Sequence, residues 1–112
     1  MTIERTSSNV SGLYIEVQIK YHQYNNGNLC CMLWNVKNNE PFGIVTKNIH
    51  DLNSTYRAYV DLNNFGKSVL YFLEDNGIAT STGSCILQSW CYYPLYEFNL
   101  DMKDKVFYFV YE

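Results

Sequence analysis

The stretch that most constrains this chain runs from Asp61 to Gly77, Asp61-Leu62-Asn63-Asn64-Phe65-Gly66-Lys67-Ser68-Val69-Leu70-Tyr71-Phe72-Leu73-Glu74-Asp75-Asn76-Gly77. It is the only convincing helix in a sequence that otherwise reads as strands. Phe65, Val69, Phe72 and Leu73 recur in steps of three and four, which puts them on one stripe, with Leu70 on its shoulder. Asn63 or Asn64 can cap the start by accepting a backbone N–H. Gly77 suits a left-handed stop, because it has no Cβ to clash. Gly66 in the first turn costs about 1 kcal/mol relative to Ala, and Glu74 and Asp75 sit at the negative end of the helix dipole. A helix this short is marginal alone, so its stripe must lie on a sheet.

The sheet is written on either side of it. Leu13 to Lys20 alternates apolar and polar residues, the mark of a half-buried strand. Asn25-Asn26-Gly27-Asn28 is a tight-turn signal. Leu29 to Val36 resumes as a strand, Lys37 to Pro41 turns, and Phe42 to Thr46 is a third short strand, so the three form an antiparallel meander. Tyr56 to Val60 leads into the helix. Thr80 to Ser84 reads as a loop, Cys85 to Tyr93 as a strand holding Trp90, and Pro94 as a ladder break or an edge. Val106 to Tyr111 is apolar on both faces, which predicts a central strand. The expected architecture is α+β: a single antiparallel sheet with one helix packed on a face. Residues 1–12, rich in Ser, Thr and Asn, read as a flexible tail before a single domain spanning 13–112.

The chain of 112 residues fits one domain, and 47% hydrophobic content is enough for a core. The net charge is −3, with no basic stripe to track phosphates, so strong direct binding to duplex DNA is not expected. No apolar run is long enough to span a bilayer, and the start lacks the apolar core of a signal peptide. The expectation is a cytoplasmic protein, away from membranes, with its four cysteines as free thiols.

No motif for chemistry survives inspection. Gly66-Lys67-Ser68 lacks the earlier glycine of a phosphate loop, since Asp61 stands there, and it falls inside the helix. Cys30 and Cys31 are adjacent and point to opposite faces of a strand. Cys85 and Cys91 lie about 20 Å apart along an unbroken strand. Neither pair has the spacing of a zinc site, and buried thiols are the expectation. His22 flanks a turn and His50 lies in a polar loop, neither beside a nucleophile signature. The reading is no catalytic residue, no metal and no cofactor.

Aromatic residues are the richer signal. Trp90, Tyr92, Tyr93, Tyr96 and Phe98 cluster around Pro94. Exposed Tyr and Trp anchor protein interfaces. Base stacking would want Arg or Lys beside the rings, and none stands there. Trp90, Tyr92, Tyr93 and Tyr96 are therefore the candidate partner-binding residues. Opposite strand faces cannot all be exposed, so only one alternation set is expected to matter.

Several short pieces occur in a telling order: Tyr24 to Leu29, Glu40-Pro41-Phe42, Thr46 to Ile49, Asp61 to Asn64 before a helix, Asn76 to Ala79, Thr82-Gly83, and Tyr93 to Phe98. This order resembles a family of small domains of unknown function encoded by phages and mobile elements. The resemblance implies a small accessory protein of such an element and supplies no catalytic residue. By analogy it implies an anti-CRISPR-like inhibitor of bacterial defence that occludes a host protein or ribonucleoprotein complex. An enzyme or sequestering protein acting on a nucleotide signal, and a nucleic-acid-binding accessory factor, are the alternatives. A homodimer stays open.

Overall fold

The computed structural model describes residues 14–50 and 52–110; the expected tail at 1–12 lies outside them. Among the described residues eight strands run β1 Tyr14–Gln23, β2 Leu29–Asn35, β3 Glu40–Ile44, β4 Thr46–Lys47, β5 Arg57–Val60, β6 Ala79–Gln88, β7 Cys91–Phe98 and β8 Val106–Val110. They form two antiparallel sheets, not one: β3-β2-β1-β8 and β4-β5-β7-β6. The expected single sheet with one helix on its face is thus corrected to a mostly β protein.

Val45 makes the difference. Phe42 to Thr46 reads as one short strand, but the chain changes sheets in the middle of it. The Val45 N–H donates to the Cys31 carbonyl at 2.8 Å in the first sheet. Its carbonyl accepts the Asp61 N–H at 2.8 Å beside the second. Its side chain is fully buried. One apolar residue therefore ties both sheets together, as at the corner of a sandwich. Alternation signals only a strand; it says nothing of which sheet the strand joins.

The helix also divides. The structure has α1 at Leu62–Phe65 and α2 at Ser68–Asp75, parted by Gly66 at φ 70°. The cap is Asp61, whose carboxylate accepts the Asn63 N–H at 3.0 Å, and not Asn63 or Asn64. Gly77 ends α2 at φ 68°. Gly77 N–H bonds the Glu74 carbonyl and Ile78 N–H the Leu73 carbonyl, which is the paired closure that a left-handed glycine permits.

Val69, Phe72 and Leu73 are fully buried, with Phe65 partly so. They do not lie on the face of one sheet. Phe72 meets Phe107 and Phe109 of the first sheet edge-on, at 6.3 and 5.1 Å between ring centres, while α2 also touches β6 of the second. Helix α2 thus bridges the two sheets at their edge strands. The core between them joins Val17, Ile19, Leu33 and Phe109 to Ala58, Val60, Tyr96 and Phe98. Burying each large side chain contributes about 1.5–3 kcal/mol.

One further expectation fails, and one, that Pro94 marks an edge, holds locally. β8 is an edge strand of its sheet, with Val106 and Tyr108 exposed, because apolar residues on both faces do not require neighbours on both edges. Pro94 lies within β7, an inner strand. It sits beyond Leu95, the last β7 residue paired with β5, so no N–H is needed there.

Candidate functional site

The second sheet carries a long hairpin, β6–β7, and its two ends differ. At the base Ala79, Thr80 and Ser81 pair with Phe98, Glu97 and Tyr96. At the tip Cys85, Ile86, Leu87 and Gln88 pair with Pro94, Tyr93, Tyr92 and Cys91. Between them β6 bulges. Gly83 there has φ 85°, a conformation that costs a glycine little. The Ser81 hydroxyl accepts the Gly83 N–H at 3.1 Å, and the Thr82 hydroxyl accepts the Ser84 N–H at 3.2 Å. The bulge satisfies its own donors.

Ser89 and Trp90 make the turn, with φ 53° and 68°. Two positive φ angles in a two-residue loop define the mirror-image turn that suits a twisted hairpin, a place where Asn-Gly is favoured. A bulky side chain there costs about 1–2 kcal/mol. Trp90 is nevertheless 94% exposed, so no burial offsets that cost. The sequence expectation of one strand through Cys85–Tyr93 is therefore corrected: Trp90 stands at the turn, and Cys85 and Cys91 lie on facing strands.

Alternation along β7 puts Tyr92 and Pro94 on the same face as Tyr96 and Phe98. Tyr96 and Phe98 are each 3% exposed, whereas Tyr92 is 64% exposed. The core face of the sheet thus runs on past the core. Leu87, directly opposite Tyr92, is 53% exposed, and Cys85 is exposed beside it. No charged residue stands between Asp75 and Glu97. The tip is an uncharged apolar surface built from Cys85, Leu87, Trp90 and Tyr92.

The four aromatics singled out in the sequence therefore divide. Trp90 and Tyr92 are exposed together. Tyr96 is buried, and its hydroxyl donates to the Glu74 carboxylate of α2; burial, reinforced by that carboxylate, pushes its ionisation far upward. Tyr93 is 5% exposed, and its hydroxyl accepts from the Asn63 carboxamide at 3.3 Å. Lys47 lies 6.0 Å from its ring centre. Both of these hold the fold together. Leu87 and Cys85 belong to the tip and escaped sequence reasoning. The signal that could have found them is the charge-free run from Asn76 to Tyr96.

Elsewhere the surface carries clefts. A cleft of about 550 Å³ is bordered by Tyr14, Glu16, Lys37 and Tyr108, and another of about 500 Å³ by Tyr21, His22 and Lys103. Among the described residues no group of three or more His, Cys, Asp or Glu could hold a metal ion, and no helix is long and apolar enough to cross a membrane. Cys30 and Cys31 are buried, whereas Cys85 is exposed and Cys91 half-buried, so burial describes only the first pair.

A family model described as a domain of unknown function (DUF4313) matches residues 16–109. No curated protein matches the chain. No solved structure matches it either.

Proposed function

The chain belongs to the DUF4313 family, and from that premise we propose that it is a non-enzymatic binding protein whose β6–β7 tip inserts into an apolar pocket of a protein partner. Trp90 carries this reading. A tryptophan almost fully in water, at a positive φ that disfavours it, is a poor choice for the free chain. It is a sound choice for a chain that buries the ring in a partner. Leu87 and Tyr92 flank it as a fixed cross-strand pair, so little conformational freedom is lost on docking.

The setting proposed is an accessory protein of a phage or mobile element, with a host defence complex as the partner to be occluded. Its support is the sequence resemblance given above. The test is capture from infected cells with the tagged wild-type chain and with Trp90→Ala. A partner held by the first and lost by the second, with a cost of about 2 kcal/mol or more in titration, is the expected result. Tight, strongly salt-dependent binding to labelled DNA or RNA that survives Trp90→Ala overturns the reading in favour of a nucleic-acid factor. Turnover of a nucleotide by the purified chain overturns it in favour of an enzyme.

A further inference from the structure

We propose that the outer edge of β6, at Cys85–Gln88, pairs with the same edge of a second copy of this chain, joining the two β6–β7 sheets into one. β6 is an edge strand of its sheet. Edge strands usually carry charge or proline against such pairing, and β6 carries neither.

The hydrogen-bond phase fixes which atoms are offered. The pair that flanks a two-residue turn, Gln88 with Cys91, exchanges its backbone bonds across the hairpin. Alternation then turns Ile86 inward as well, and leaves the N–H and C=O of Cys85 and Leu87 directed outward. A two-fold axis normal to the sheet runs the second copy's strand antiparallel. With Ile86 opposite Ile86 on that axis, Cys85 of each copy faces Leu87 of the other. Both sides of the axis then hold a pair that exchanges two bonds, so every outward group is matched. This is the self-complementarity that a closed dimer requires.

The bulge sets the limit of the contact. The Gly83 and Ser84 N–H groups are already taken by the Ser81 and Thr82 hydroxyls, so pairing cannot slide toward the base. Charge allows the approach too. The chain is net −3, which would set two copies against each other, but the whole segment from Asn76 to Tyr96 is uncharged. The edge of β6 is thus a neutral seam on an acidic molecule. The two turns point away from each other in this arrangement, and the faces carrying Leu87 and Tyr92 become continuous. The dimer does not rest on the partner proposed above and stands or falls separately.

Sedimentation equilibrium over a wide concentration range tests it. The expected mass rises from 13.1 kDa to twice that value. Ile86 faces itself across the axis at a non-bonded position, where side chains come closest. Ile86→Lys alone and Ile86→Glu alone should each stay at 13.1 kDa, while an equimolar mixture regains the doubled mass. Leu87→Pro, which removes an outward N–H and spares the bonds to β7, should also stay monomeric. Circular dichroism confirms that each variant is folded. A wild-type chain that stays monomeric at every concentration overturns the proposal. So does a doubled mass that persists in all three variants, or a mixture that fails to associate when Leu87→Pro still dimerises.

Discussion

Tyr96 and Tyr92 stand on the same face of the same strand, yet one is 3% exposed and the other 64%. Helix α2 accounts for the difference. It covers the hairpin's base, where Glu74 accepts the Tyr96 hydroxyl and Val69, Phe72 and Leu73 complete the core. The bulge at Ser81–Cys85 then interrupts the pairing, which resumes at the tip without cover. One hairpin thus contributes to stability at its base and, in the function proposed above, to recognition at its tip. Apolar character alone does not distinguish these roles; what packs against the residue does.

That division can be broken most forcefully at the base. Phe72→Ala empties a site between both sheets and should cost about 3–5 kcal/mol in denaturant unfolding. A loss below about 1 kcal/mol would mean that α2 does not close the core. Leu87→Ala at the tip should change stability by less than about 0.5 kcal/mol, the range for exposed positions. Similar costs for the two would erase the comparison.

Alkali should act on partly and fully buried hydroxyl and thiol groups. Burial pushes the Tyr24 hydroxyl, which donates to the Thr46 carbonyl at 3.2 Å, from the usual 10.0 to about 12. Burial also drives Tyr21, Tyr96 and the Cys31 thiol upward. These groups keep their protons in the folded chain while the unfolded chain releases them. Their stabilising contribution is therefore complete below the unfolded values and falls as pH rises from about 9 toward 12. Melting temperature measured from pH 7 to 11 should hold and then decline. A rise above pH 10 would contradict the burial assigned to these tyrosines.

A smaller effect sharpens the comparison within β7. Tyr96→Phe removes one hydrogen bond to Glu74 and should cost about 1 kcal/mol. Tyr92→Phe removes an exposed hydroxyl and should leave stability unchanged within about 0.5 kcal/mol.

Much of the first sheet and of helix α2 was legible in the sequence. The alternation of β1, the Asn-Gly turn before β2, the apolar stripe Val69, Phe72 and Leu73, and Gly77 as helix stop all follow local rules that the structure obeys. Three features were not legible. Val45 looks like any buried strand residue, and only its two backbone partners reveal the change of sheet. Ser89-Trp90 contains neither glycine nor asparagine, so the turn carries no turn signal and Trp90 reads as strand. Val106–Val110 is apolar enough for a central strand, but edge position depends on how many strands the fold supplies. The tip's composition was visible and its geometry was not: Trp90 and Tyr92 were singled out together with Tyr93 and Tyr96, which the fold buries.

The central claim is that the chain keeps Trp90 at the turn for binding, against its own stability. The most direct measurement replaces Ser89-Trp90 by Asn-Gly, the pair this turn favours, and follows both unfolding in denaturant and retention of the captured partner. The account predicts a chain more stable by about 1 kcal/mol that no longer holds the partner. A variant that is less stable than the wild type, or that holds the partner undiminished, would contradict it.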